Sequence, residues 1–298
     1  MWNTGRWAKK LVDTLIAQEY LTFYHIMNYP IPKNGEHFFV ASSPSKEKEN
    51  REEKQQKDKA DTFSRPYKPQ LMVEYIQEIE KYKTLYQSLP FVEEIYLCNS
   101  ISFNALHENS DIDLFIITQP ERIRSAKFRA MLAFTFTGLK RTFNKKAKKI
   151  CLSFFISADQ QNLYSISLAH LDIYLCYRIQ HLVLLYQADP QQKPKIFKKN
   201  KRIKGVLPHY PEEQSISLGN QVFSWATKIK QGIQRVGKSI IGDLMETLLK
   251  YLQLTIIRLK ILRSPERNRD VIVNDQILKF HQDIRKKVSL KYSVAIKK

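Results

Sequence analysis

Two aspartates one residue apart, Asp111 and Asp113, open the run Asp-Ile-Asp-Leu-Phe-Ile-Ile-Thr, which ends at Thr118. In a strand, residues i and i+2 point to the same face. The two carboxylates therefore project side by side, while Ile112, Leu114 and Ile116 enter a core on the opposite face. Like charges that close repel, and a hard cation between them relieves the repulsion. Mg²⁺ suits the position, because it is usually held by one or two carboxylates plus substrate phosphates. On charge alone, neutralising either aspartate should leave the metal-free protein no less stable. Asp-x-Asp also occurs at solvated strand starts and turns, so the context decides. Upstream, an apolar run over 92–98 closes on Asn99-Ser100, and ten residues separate Ser100 from Asp111. The pattern predicts a strand, a small polar turn, a short helix near 100–107, and a second strand that opens with acids.

This arrangement resembles the nucleotidyltransferase superfamily, the DNA polymerase β-like fold, whose signature is a strand, a Gly-Ser turn, a short helix and an Asp-x-Asp strand. Collinear pieces are similar to a group of bacterial nucleotidyltransferase-domain proteins. They are Thr14-Leu15 through Phe23 to Asn28-Tyr29-Pro30-Ile31, then Pro90-Phe91-Val92, Lys149-Ile150-Cys151-Leu152, Ala169-His170, and Phe280-His281-Gln282-Asp283-Ile284-Arg285. The resemblance implies an α+β fold: a nucleotidyltransferase-like mixed sheet with flanking helices, an N-terminal helical segment and a C-terminal helical region. It implies Mg²⁺ or Mn²⁺ on catalytic Asp111 and Asp113, and a nucleoside triphosphate held by Asn99, Ser100 and Ser110. The reaction would transfer a nucleoside monophosphate to an acceptor.

Two departures from the signature matter. Asn99 stands where the family has glycine. Asparagine tolerates φ > 0 better than most residues, but its side chain keeps phosphate further from the backbone. The family's third carboxylate is also missing, since the apolar run 150–156 contains no acid. Ser153, the polar residue in its middle, is the candidate for that slot, and Asp159 lies beyond the strand end. The departures keep a second expectation open: a catalytically weakened domain that binds nucleotide or RNA, or serves as an interaction module.

The formal net charge of +20 and a pI near 9.7 favour polyanionic partners: RNA, DNA, nucleotides or anionic lipid. A lysine-rich composition alone is the competing explanation. Cys98, Cys151 and Cys176 are scattered, without a Cys-x-x-Cys pair, which argues against a zinc site and a disulfide scaffold and for a reducing, cytoplasmic setting. The first residues show no secretory pattern, and no membrane span is expected. The nearest apolar window, 239–262, is broken by Asp243, Glu246, Lys250, Arg258 and Lys260. Membrane-surface binding by the basic helices at 228–262 ranks below the two nucleotide-centred readings.

Four regions follow from the pattern: a helical, degenerate winged-helix-like module over 1–41, a charged linker over 42–64, a nucleotidyltransferase-like α/β domain over 65–160, and a helical region over 161–298. The linker contains no apolar residue from Lys46 to Lys59. Helices are expected at 7–27, 69–88 and 121–139, then at 163–185, 218–262 and 273–290. His170 reads as a core residue rather than a catalyst. The helices should pack on one face of the sheet.

Overall fold

The computed structural model describes residues 22–29, 68–142, 144–168, 172–201, 214–215, 224–263, 271–280 and 284–296. The linker, most of the 1–41 module, and Ala169-His170 lie outside the described residues. The chain is α+β. Its elements run α1 (Pro69–Lys81), α2 (Lys83–Ser88), β1 (Val92–Cys98), β2 (Ile112–Thr118), α3 (Ile123–Phe136), β3 (Ile150–Ser157), α4 (Ile173–Gln180), β4 (Val183–Gln187), α5 (Lys195–Lys199), β5 (Gln214–Ser215), α6 (Ser224–Gly237), α7 (Ile240–Arg263), β6 (Ile272–Val273), β7 (Ile277–Lys279) and α8 (Arg285–Ile296). The strands form one mixed sheet in the order β5-β4-β1-β2-β3-β7-β6. β1 and β2 pair antiparallel, while β2 and β3 are parallel and joined through α3.

Helices cover both faces of the sheet, not one. Ile112, Leu114 and Ile116 pack with Met72, Tyr75 and Ile79 of α1 and with Ala126, Ala130 and Phe134 of α3. On the other face Phe115, Ile117, Phe154 and Ile156 pack with Leu175, Cys176 and Ile179 of α4. Two-sided burial is why the central strands are near-continuous apolar runs after their first residues. The expected helix near 100–107 is instead a chain of turns, closed by Phe103 N–H to Asn99 O (3.0 Å) and Ala105 N–H to Ser100 O (2.8 Å).

The region 161–298 is not purely helical, because it supplies β4, β5, β6 and β7 to the sheet. The run 163–185 divides into a 3₁₀ turn (Leu163–Ile166), α4 and β4. Its unbroken apolarity satisfies helix and strand patterns equally. Asp172 starts α4 by accepting the Leu175 N–H at 3.0 Å, and β4 pairs with β1. The stretch expected as one helix over 273–290 holds the β6–β7 hairpin and the start of α8. Asn274 shapes that hairpin, its side-chain oxygen accepting the N–H groups of Gln276 (2.9 Å) and Ile277 (2.6 Å).

Buried polar contacts fix the outer helices. Arg285, at the start of α8, meets Asp172 at 2.8 Å, both side chains almost wholly enclosed. The helical residues 22–27 place Phe23 on the Tyr177 ring, with centroids 3.9 Å apart, and the Tyr24 hydroxyl at 2.9 Å from His181 Nε2. Gly237 and Gly242 form the elbow between α6 and α7. A side chain on Gly237 would strike the Phe91 ring, and one on Gly242 would strike the Gly237 carbonyl. Among the described residues no helix is long and apolar enough to cross a membrane.

Lys230 ties α6 to the sheet, its ammonium donating to Gln87 O (3.0 Å) and the Tyr186 hydroxyl (2.6 Å). Burial lowers its pKa from 10.5 to about 8. Between those values the unfolded chain holds a proton that the folded chain has lost, so this group makes stability rise with pH across that window. We expect the wild type to gain up to about 3 kcal/mol relative to Lys230→Met between the two pKa values, with no relative change below the lower one. Urea unfolding of both proteins across this range measures it, and parallel profiles would show that Lys230 keeps an ordinary pKa.

Candidate functional site

The sheet topology gathers the chemistry at one end. β1 finishes where its antiparallel neighbour β2 begins, and β3 begins at the same end because it is parallel to β2. Asn99-Ser100, Asp111, Asp113 and Cys151 therefore meet. Carboxylate oxygens of Asp111 and Asp113 and the Cys151 sulfur all lie within 4.8 Å of one another. The two aspartates differ in setting: Asp111 is partly exposed, just ahead of β2, whereas Asp113 is only 6% exposed.

Asn99 adopts φ 60°, the left-handed conformation that a tight turn needs and that asparagine tolerates. Its amide donates to Asp113 Oδ2 at 2.9 Å, so this side chain turns inward onto the acid pair. The carbonyls of Asn99 and Ser100 are taken up inside the turn. Among the described residues, the N–H groups of Ser100, Ile101 and Ser102 donate to no protein acceptor. Successive N–H groups of this kind suit an anion. Ser110 is buried, and its hydroxyl accepts the His107 N–H at 3.0 Å. It shapes the loop ahead of Asp111.

The register puts Cys151, not Ser153, opposite Asp113. An irregularity between Asp113 and Phe115 matches two residues of β2 to three of β3, and such bulges re-aim side chains. Ser153 sits one step behind, its hydroxyl 3.4 Å from the Cys151 sulfur. Burial pushes the Cys151 thiol well above its ordinary pKa, with Asp113 adding to the shift, so it is a neutral thiol. Asp159 lies past the far end of β3, accepting from Gln276 at 3.0 Å, and takes no part.

Two arginines that the sequence pattern did not single out complete the cluster. Arg141 donates to Asp111 Oδ2 at 2.6 Å and approaches the Cys151 sulfur at 3.6 Å. Burial opposes its charge, but Asp111, Cys151 and Asp113 together hold its pKa above the usual arginine value. Arg178 is buried on α4, with Nη2 at 3.8 Å from the Cys98 sulfur and its guanidinium 4.9 Å from the Phe154 ring centre. Its charge too is opposed by burial and sustained by its surroundings, Asp113 among them. The signal for Arg178 was a lone cation inside the apolar run Ile-Tyr-Leu-Cys-Tyr-Arg-Ile. Arg141 carried no local signal, because only the fold brings it to Asp111.

The two carboxylates offer the hard oxygen donors that Mg²⁺ or Mn²⁺ takes. The protonated Cys151 thiol adds no hard donor to such a set. Comparison with protein-family models, curated proteins and solved structures finds no match for this chain.

The pair is thus not a bare repulsion, and the stability expectation for the metal-free protein changes. Asp113→Asn removes the carboxylate that accepts the Asn99 amide and helps sustain the charge of buried Arg178, and should destabilise by about 2 kcal/mol. Asp111→Asn breaks an ion pair that reaches water and should cost less than about 1 kcal/mol. Urea unfolding in chelator measures both. An Asp113→Asn protein as stable as wild type would restore the simple repulsion picture.

Proposed function

We propose that the chain is a nucleotidyltransferase-fold protein in which Asp111 and Asp113 hold a divalent cation together with a nucleoside triphosphate. The observation that carries this reading is the convergence of the β1 turn and the acid pair at one sheet end, joined by the Asn99–Asp113 hydrogen bond. Mg²⁺, when bound, would neutralise charge developing on the phosphates. The chain's own part is positioning. The N–H groups following Asn99 receive phosphate oxygens, and Arg141 and Lys145–Lys149 supply positive charge beside them. An acceptor hydroxyl would attack the α-phosphorus and lose its proton to solvent, breaking the bond from phosphorus to the α–β bridging oxygen and releasing pyrophosphate. The same basic surface suits an RNA or another polyanion as acceptor or partner.

A second reading is a catalytically weakened domain that binds nucleotide without transferring it. Arg141 already neutralises Asp111, and a thiol stands beside Asp113 where a third acid would strengthen the cation site.

The test is incubation with radiolabelled nucleoside triphosphates and Mg²⁺, reading labelled acceptor and released pyrophosphate. Activity that both Asp111→Asn and Asp113→Asn abolish is the expected result, with at least a ~100-fold loss in each. Triphosphate binding without turnover selects the second reading, and the absence of any triphosphate binding overturns both.

A further inference from the structure

The α6–α7 hairpin carries an apolar face that the other described residues leave bare. On α7, the side chains of Ile241, Leu244, Leu248, Tyr251, Leu259 and Leu262 are each between 50% and 77% exposed. At about 100° per residue these six fall within an arc of about 80° that runs the length of the helix. Scattered exposed apolar residues are ordinary, but a stripe of this length, interrupted by Thr255, marks an interaction surface.

The charges on the hairpin are sorted by side. Its acids both turn to the protein body, roughly opposite the stripe. Asp243 pairs with Arg122 at 2.5 Å, and Glu246 accepts the N–H groups of Arg124 and Ser125 at 2.7 and 2.8 Å, capping the start of α3. Lys250 is likewise used, meeting Asp275 at 2.8 Å. Lys238, Arg258 and Arg263 are exposed and make no ion pair among the described residues. Arg258 flanks the stripe, and Lys238 and Arg263 stand at its two ends. The outward surface is therefore apolar and cationic, with its acids already taken up.

We propose that this face docks on the surface of an anionic phospholipid bilayer. The stripe would enter the headgroup–acyl boundary, while the flanking cations reach lipid phosphates, as in amphipathic helices lying in the interface plane. Charge decides the occupant. A second copy would bring the same unpaired cations against this face. RNA would satisfy the cations but leave the aliphatic stripe without a partner, since Tyr251 is the stripe's one aromatic for stacking. An anionic bilayer meets both requirements and suits a chain of net charge +20. This surface stands apart from the acid pair, and the proposal does not depend on the nucleotidyl-transfer reading.

The experiment is flotation of the full chain with phosphatidylcholine vesicles, with and without phosphatidylglycerol. We expect co-flotation only with the anionic vesicles, weakened by salt. Leu244→Glu combined with Leu248→Glu should abolish it while leaving the thermal midpoint unchanged, because both sites are exposed. As a gain-of-signal control, Tyr251→Cys carries an environment-sensitive fluorophore, the native cysteines being buried. Its emission should shift to the blue on adding anionic vesicles. The proposal is overturned by no flotation and no shift, by equal binding to neutral vesicles, or by a wild-type dimer that the double glutamate variant converts to monomer. RNA binding lost in that variant, with vesicles left unbound, overturns it as well.

Discussion

A buried carboxylate is costly unless a cation or hydrogen-bond donors meet it. Asp113 is in that position at the start of β2, with Asp111 close by. The surrounding structure answers that cost. Asn99 donates to Asp113, Arg141 pairs with Asp111, and Arg178 places a buried positive charge near Asp113 from the helix above. Each donor comes from a different element, so the sheet end, the turn after β1, the basic loop before β3 and α4 are held to one arrangement by one charge balance. Under the proposed function, an incoming cation would add to positive charge already present, and an anionic triphosphate would offset the addition.

The strand directions make this gathering possible. Antiparallel β1–β2 followed by parallel β2–β3 brings three strand ends to one edge, and the bulge in β3 aims Cys151 at the acids. Helices on both faces keep these ends fixed, and α4 is enclosed along its whole length, Arg178 in its last turn included.

Much of this geometry was legible in the sequence. The period of two in Asp111–Ile116 put both carboxylates on one face and the aliphatics on the other, and Asn99 was recognisable as the residue able to take φ > 0. Other parts were hidden for physical reasons. A run apolar on both sides, such as 163–185, has no period to separate helix from strand, so its pattern predicts helix where β4 stands. The β6–β7 hairpin did leave a mark, Asn274-Asp275 between Ile272-Val273 and Ile277-Leu278, but the helical spacing of Ile277, Phe280, Ile284 and Val288 masked it. The bulge that promotes Cys151 over Ser153 depends on strand pairing, and Arg141 reaches Asp111 across 30 residues of chain. Neither is encoded locally.

The account rests on Asp111 and Asp113 accepting a divalent cation when triphosphate is present. Paramagnetic titration of Mn²⁺ tests that most directly, with a non-hydrolysable triphosphate analogue added or withheld. A one-to-one site that tightens with the analogue and disappears in Asp113→Asn is the predicted result. Mn²⁺ that binds no better to the wild type than to Asp113→Asn, with the analogue present, would contradict it.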